Sequence, residues 1–370
     1  MNPMNPRPRL QHVATLAEVS IAAASRILRG DTAEFSGPTC ERVVKAAKQL
    51  GWRRNLLVHS LQTGRSRTVG VVVPPYDSFW VNLLSGVNSR LAAADFLPIN
   101  VWPGDAENLP YFEAGEQESV QLMNRLLERW VDGLILWPPF AMTYHAHSRD
   151  LTDNTVPVVL IDYHAEHLGF DTVATDEFQG AALVAEHLLE LGHRRFAFIG
   201  GRETAAQTWA QERRQGVEKA FSRVPGVSYK NWKLNSRGDD GLEVARRILR
   251  SSLQPTAIVA ATDHQAVLAY QAAAELGLRI PEDLSVTGFA DLDFAVGMIP
   301  PLTTVRQRAA EIGRQAASVI LGRLDGTISS ADPVDMRIPA DLVVRSSTAP
   351  PRAAAASTAR RKKTAGVPRT

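Results

Sequence analysis

The sequence predicts an α/β protein in which parallel sheets follow a small helical head. From Thr68 onward, short apolar runs typical of buried strands alternate with segments of helical period. Residues 10–52 show helical spacing instead, and no strand pattern. Alternating strands and helices form parallel sheets covered on both faces, and such sheets bind ligands at the carboxyl ends of their strands.

Each element of the body is predicted from its own segment. The first strand is TVGVVVP, and a helix near residues 80–94 follows it. The later strands are FLPINVW, DGLILWP, VPVVLIDY, RRFAFIGG, TAIVAA and LSVTGFA, and helices are expected near 116–130, 180–191, 213–221 and 264–276. A chain of 370 residues is long enough for more than one domain.

The head is predicted to contain three helices. The first carries an apolar stripe of Leu10, Val13, Ala14 and Ala17. Val19 packs the following turn, and Ser20 caps a second helix that carries Ile27 and Leu28 inward. The third helix begins at Ser36 or Gly37 with Pro38 in its first turn, and its inward residues are Val43, Val44, Ala47 and Leu50.

Two short helices joined by a tight turn can place the second helix in the major groove of DNA. The alternative is an ordinary helical hairpin with basic surface residues. The third helix and the basic segment RRNLLVHSLQTGRS after Trp52 favour the DNA-binding interpretation.

The charge distribution agrees with a DNA-binding end. Residues 1–67 contain 11 Lys and Arg but only four acidic residues, whereas the whole chain has a net charge of only +2. Residues 349–370 add six basic residues and no acid.

Cys40 is the single cysteine, which excludes an intrachain disulfide and a cysteine-rich metal site. With no apolar leader or long apolar run, the protein is expected to be cytoplasmic and free of membrane spans.

From Leu10 to Thr348 the chain resembles the lactose-repressor (LacI/GalR) family of bacterial transcription regulators. The resemblance rests on His12-Val13-Ala14, Ala17-Glu18-Val19-Ser20 and Ser25-Arg26-Ile27-Leu28-Arg29, and on the phrases VDGLIL, VPVVLID, ELGHRRFAFIGG, PTAIVAATD, LGLRIPEDLSVTGF and PPLTTVRQ. It implies a periplasmic-binding-protein-like core of two lobes that hold an effector between them. The chain is expected to cross between the lobes near 165–175, 300–310 and 330–338.

The resemblance also implies a domain organisation. A disordered N-terminus is expected over 1–8, a helix-turn-helix DNA-binding domain over 9–54 and a hinge helix with its linker over 55–67. The effector-binding and dimerisation core spans 68–348, and a disordered basic tail covers 349–370.

The family pattern assigns DNA-contacting residues in two segments. In the head they are Ser20, Ile21, Ala22, Ser25, Arg26 and Arg29, and in the hinge they are Asn55, His59 and Leu61. Arg26 matches a near-fixed arginine that reaches guanine or phosphate, and Leu61 matches a leucine that wedges into the minor groove. Glu18 stands where the family has a turn glycine, and Val58 where it has alanine.

Effector contacts carry over from the family to positions at strand ends. They are Phe79, Trp80, Asp162, Trp209, Arg213, Thr262, Asp291 and Gln307. Asp162 and Arg213 are expected to hydrogen-bond a ligand, with a structural cap and an ion pair as their alternatives. Thr262 and Ala290 depart from the family's polar residues, so one acceptor is expected to be missing. A modified sugar, a sugar acid or another small polar metabolite is the resulting hypothesis.

The expected partners are a pseudo-palindromic operator in double-stranded DNA, a small effector and a second copy of the chain in a homodimer. Repression relieved by the effector is the default, because the sequence does not distinguish induction from co-repression. The first rival is a sugar-transport protein with the same core. The second is an enzyme using a metal held by His145, His147, His164 and His167. From the sequence we expect no catalytic residues, no cofactor and no metal site.

Overall fold

The computed structural model describes residues 8–53, 64–74, 77–102, 116–137, 156–163, 169–200, 208–234, 241–329 and 332–352. The chain divides into two compact units, Met1–Ser66 and Arg67–Thr370, which are taken in turn. The predicted hinge contacts Asn55, His59 and Leu61, and the four histidines of the metal hypothesis, lie outside the described residues.

The head contains the three helices that the sequence predicts. They are α1 (Leu10–Leu16), α2 (Ile21–Leu28) and α3 (Gly37–Leu50). The Ser20 hydroxyl accepts a hydrogen bond of 3.0 Å from the backbone N–H of Ala23, which is the predicted cap of α2. At the end of α3, Gly51 adopts the left-handed conformation with φ of 64°.

The head core matches the predicted stripe with one error on α3. Val13, Ala14, Ala17 and Ile27 are buried, and Val19 packs against them. Val44 was expected to face inward, but it is 54% exposed. Val43, Ala46 and Ala47 form the buried face instead, since positions i, i+3 and i+4 lie on one side of a helix and Val44 lies about 100° away from Val43.

The turn between α1 and α2 contains a strained residue. Glu18 has φ of 52°, a left-handed conformation that costs a residue with a Cβ about 1 kcal/mol and costs glycine little. We therefore expect Glu18→Gly to stabilise the head by about 1 kcal/mol. Slower hydrogen exchange in α1–α3 of the full chain would show this, and faster exchange in the variant would contradict it.

The first lobe of the body is built on a six-stranded parallel sheet. Its strands are β1 (Thr68–Val72), β2 (Leu97–Val101), β3 (Gly133–Leu136), β4 (Val158–Ile161), β5 (Asp171–Thr175) and β11 (Asp335–Ile338). Their order is β11-β5-β4-β3-β1-β2. All neighbours run parallel, so the carboxyl ends of the strands meet at one edge.

The second lobe contains a four-stranded parallel sheet. Its strands are β6 (Arg195–Gly200), β7 (Ser228–Lys233), β8 (Ala257–Ala260) and β9 (Ser285–Thr287), in the order β7-β6-β8-β9. A short antiparallel pair, β10 (Thr304–Arg306) with β12 (Asp341–Val343), completes the body.

The body helices lie between these strands. They are α4 (Ser78–Ala93), α5 (Glu116–Leu127), α6 (Glu177–Glu190), α7 (Thr208–Ser222), α8 (Gly241–Leu249), α9 (Asp263–Glu275) and α10 (Ala309–Asp325). Helices α4 and α10 pack backbone to backbone, because a Cβ atom on Gly86 or Gly313 would overlap a carbonyl oxygen of the other helix. Helix α6 begins before its predicted start at residue 180, since Asp176 caps it through the N–H of Gln179.

The chain passes between the two lobes at three places. It leaves the first sheet after Thr175, returns near Gln307 and leaves again between β11 and β12. The first and third passages come a few residues after the predicted segments 165–175 and 330–338. The last residues of those segments belong to β5 and β11, which pair with each other in the first sheet.

Candidate functional sites in the head and the body

Helix α2 presents a largely apolar surface to solvent. Ile21 is 50% exposed, and Ala22 is exposed beside it. Ser20 is engaged as the helix cap, Ser25 is half-buried, and Arg29 bonds back to the Ser25 carbonyl at 3.1 Å. Apolar side chains at this surface can contact a thymine methyl group but cannot form paired hydrogen bonds to a base.

Arg26 is held by acidic residues of the head. Its Nε donates to Asp31 at 2.7 Å, its Nη1 donates to Glu34 at 2.6 Å, and its guanidinium lies 5.2 Å from the centre of the Phe35 ring. These hydrogen bonds raise the pKa of Arg26 and lower the pKa of both carboxyl groups. The sequence did not predict this contact, although Asp31 and Glu34 follow α2 closely.

The body places Asp162 at the carboxyl edge of the first sheet, directly after β4. Its φ of 57° turns the chain sharply, and the side chain is half-buried. Desolvation, followed by the negative charge of Glu177, raises the pKa of Asp162 to about 8. Trp137, which directly follows β3, donates a hydrogen bond to the carboxyl group. Asp162 is therefore mainly protonated at neutral pH and can both donate and accept a hydrogen bond.

Arg213 on α7 is fixed by an ion pair that joins it to the start of α6. Its Nε donates to Glu177 at 2.6 Å, and the two side chains are only 6% and 2% exposed. Its Nη1 donates to the Ala261 carbonyl at 2.6 Å. The guanidinium lies 3.7 Å from the centre of the Phe289 ring and 4.7 Å from that of Trp209.

Gln307 joins the same cluster from the second passage between the lobes. Its amide nitrogen donates to the Thr175 hydroxyl at 2.9 Å and to Glu177 Oε1 at 3.1 Å. The structure thus places Trp209, Arg213 and Gln307 in one cluster with Glu177, and the charges of Glu177 and Arg213 act on the pKa of Asp162. Their role as effector contacts stays a prediction. Glu177, which the sequence analysis missed, binds both Arg213 and Gln307; its only sequence signal is the acidic pair Asp176–Glu177 at the start of α6.

Phe79 and Trp80 lie at the start of α4, mostly inside the first lobe. They are 7% and 3% exposed, and their ring centres are 4.9 Å apart in an edge-to-face contact. Trp80 also contacts the ring of Trp137 at 5.5 Å. Asp77 caps α4 through the N–H of Trp80 at 3.2 Å, and desolvation raises its pKa. Asp77 and Trp137 are further residues of this edge that the sequence analysis missed, although Asp77 follows the predicted strand TVGVVVP and Trp137 lies near the end of the predicted strand DGLILWP.

Thr262 and Asp291 have structural contacts in the second lobe. Thr262 caps α9 by accepting from the N–H of Gln265 at 3.2 Å. The carboxylate of Asp291 binds Arg306 at 2.7 Å and Arg345 at 2.5 Å. An effector contact at either residue stays a prediction, and for Asp291 it would compete with two arginines.

The raised pKa of Asp162 predicts a pH-dependent stability. The pKa of Asp162 in the folded protein exceeds its ordinary value of 3.8, so ionising this group costs free energy that grows as pH rises from about 4 to about 8. We expect Asp162→Asn, which tolerates the same φ, to equal the parent in stability near pH 3.5 and to exceed it increasingly as pH rises, by about 1.4 kcal/mol for each unit of raised pKa and so by several kcal/mol above pH 8. Denaturant unfolding across this range measures the difference. A difference that is constant with pH would contradict the assignment.

Within the described ranges, no cluster of three or more His, Cys, Asp or Glu side chains has a metal-binding arrangement. Over the same residues, no helix is long and apolar enough to cross a bilayer.

Comparisons with known proteins agree with this architecture. Residues 185–348 match the family described as "Periplasmic binding protein-like domain". The HTH-type transcriptional repressor PurR of Haemophilus influenzae is 27% identical over 346 residues, covering 91% of this chain and 98% of the relative. The lac repressor dimer bound to operator and the anti-inducer ONPF shares the fold with a TM-score of 0.76, at 24% identity over 92% of this chain and 99% of that one.

A third neighbour is a LacI family transcriptional regulator from Enterococcus faecium with bound ribose. It has a TM-score of 0.63 and 26% identity, covering 77% of this chain and 100% of the neighbour. The fold and the site define a helix-turn-helix head joined to a two-lobed receptor body. These comparisons support a transcriptional regulator of the LacI/GalR family.

Proposed function

We propose that this protein is a sequence-specific DNA-binding repressor whose operator affinity is controlled by a small polar molecule bound between its lobes. The observation that carries the proposal is the buried Glu177–Arg213–Gln307 cluster, which lies at the strand ends of a receptor fold in the same chain as a helix-turn-helix head. Relatives that match over most of the chain are transcriptional repressors.

The proposed domains are the head over 9–54, the hinge over 55–67 and the core over 68–348, with the termini outside them. Two copies bind a pseudo-palindromic operator, because two-fold symmetry matches inverted half-sites. The effector acts by binding one arrangement of the lobes better than the other, since only differential affinity can shift such an equilibrium. The protein acts in the cytoplasm, where its DNA target is found.

The effector is a sugar or a sugar derivative. Asp162 offers both a donor and an acceptor, and Arg213 offers a guanidinium held in place by Glu177. Groups fixed in this way favour ligands that satisfy all of them and discriminate against those that leave one unpaired. The ribose-bound neighbour is consistent with this class of ligand. A role as an enzyme is not favoured, since the matched relatives are repressors.

The test has two steps. Selection of random DNA against the full-length protein should yield a symmetric site, and thermal unfolding should then identify ligands that stabilise the body. A ligand at about 100 times its dissociation constant should stabilise the protein by roughly 2.7 kcal/mol. That ligand should release the selected DNA. Failure to enrich any site would overturn the DNA-binding function, and stabilising ligands without effect on DNA would overturn the control by effector.

A further inference from the structure

The described residues of the proposed effector site include more carboxyl groups than guanidinium groups. Three carboxyl groups belong to it: Asp77 at the start of α4, Asp162 after β4 and Glu177 at the start of α6. They act on one another, because the charges of Glu177 and Asp77 both disfavour ionisation of Asp162. The described residues of the site contribute one guanidinium, that of Arg213, against these three groups.

Arg213 does not have its charge available for an anionic ligand. Glu177 forms a 2.6 Å ion pair with its Nε, and the Ala261 carbonyl accepts from its Nη1 at the same distance. The rings of Phe289 and Trp209 cover the guanidinium. An ion pair buried to this degree interacts with a further charge mainly as a dipole, so Arg213 can donate a hydrogen bond to a ligand but adds little net positive potential.

The carboxyl groups are also poorly solvated. Desolvation is the main cause of the raised pKa of both Asp77 and Asp162. A ligand that brings another negative charge into this environment increases the repulsion, while a ligand that brings hydroxyl or amine donors supplies the hydrogen bonds that water does not.

We propose that the effector of this protein carries no negative charge, and that the site binds neutral or amine-bearing polyhydroxy compounds while rejecting their acidic and phosphorylated derivatives. The proposal rests on the proposed function and narrows it. Of the classes left open by the sequence, it excludes sugar acids, and it makes Glu177 and Asp77 the residues that set this selectivity.

The first test uses inorganic phosphate as the probe, so that it does not depend on knowing the effector. Phosphate should stabilise Glu177→Gln, measured on the full chain by thermal unfolding, more than it stabilises the parent. The reason is that the variant keeps an acceptor for Arg213 but removes the paired charge. Asp77→Asn, which retains a side-chain cap for α4, should respond in the same direction.

Asp95→Asn is the matched control, because Asp95 is a 90% exposed carboxylate of the same lobe. Phosphate bound by the basic head contributes equally to every variant and cancels in the comparison. A response of the parent or of Asp95→Asn as large as that of Glu177→Gln and Asp77→Asn would overturn the proposal. Asp77→Asn keeps the test decisive if Glu177→Gln folds poorly.

The second test compares matched ligands: ribose with ribose 5-phosphate, and glucose with glucosamine and glucuronate. In any set that contains a binder, we expect the acidic member to bind at least about tenfold more weakly than the best neutral or amine member. An acidic member that binds tightest would overturn the proposal. Selection of an operator is independent of these measurements, so a failure here leaves the DNA-binding function standing.

Discussion

Replacing Glu177 with alanine is expected to lower the free energy of unfolding of the body by about 3–5 kcal/mol, since it leaves a buried guanidinium without its partner. Arg213 is 5% exposed and keeps only one charge-neutral acceptor, the Ala261 carbonyl. The substitution also removes one of the two acceptors of the Gln307 amide and leaves it the Thr175 hydroxyl. Chemical denaturation of the full chain measures the loss, and Glu177→Gln should lose less because its amide oxygen remains as an acceptor for Arg213.

The ion-pair explanation has its own control. In Glu177→Ala/Arg213→Met, the unpaired charge is gone, so a large part of the loss should be recovered. Asp341→Ala is the matched exposed case, because Asp341 pairs with Arg308 at 2.7 Å while both side chains are nearly half exposed. Its effect on unfolding should be far smaller. If Glu177→Ala and Asp341→Ala proved equally mild, the buried pair would not hold this site together.

The part of the site that could be predicted consists of residues that match the family pattern. Asp162 matches a family position directly after a buried strand, and Arg213 matches the arginine of a family phrase that lies in α7. Glu177 could not be found in the same way. It is 36 residues from Arg213 and lies just after the passage between the lobes, so only the three-dimensional arrangement brings the two side chains together.

The same distinction applies to the strands. Those predicted from apolar runs, such as β3, β4 and β8, are fully buried. Strands β7 and β11 escaped prediction because they lie at sheet edges and consist largely of polar residues, as in SYKNWK. Strand β5 is buried but contains the charged residue Asp171. Arg323 forms a buried ion pair with Asp171, and the local sequence pattern does not reveal this contact.

The acidic contacts of Arg26 restrict how the head can read DNA. A paired contact to guanine needs two N–H groups of the guanidinium fork, and here Nε and Nη1 each already donate to a carboxylate. Arg26→Ala should weaken a selected operator by about 10- to 100-fold if this side chain reaches a base once the contacts open. Binding of the operator by fluorescence anisotropy, at one fixed salt concentration, measures the change.

Removing the competing carboxylates should have the opposite effect. We expect Asp31→Asn/Glu34→Gln to bind the operator about 5- to 20-fold more tightly than the parent, because exposed ion pairs are weak individually but two of them must open. Removing any negative charge from the head strengthens its binding to DNA. The double variant Glu18→Gln/Glu41→Gln is therefore the control, because it removes the same amount of charge elsewhere in the head. In an Arg26→Ala background, the gain from the first pair should fall to that of the control. A gain that persists without Arg26 would mean that the two carboxylates act on DNA directly and that Arg26 is not the side chain they restrain.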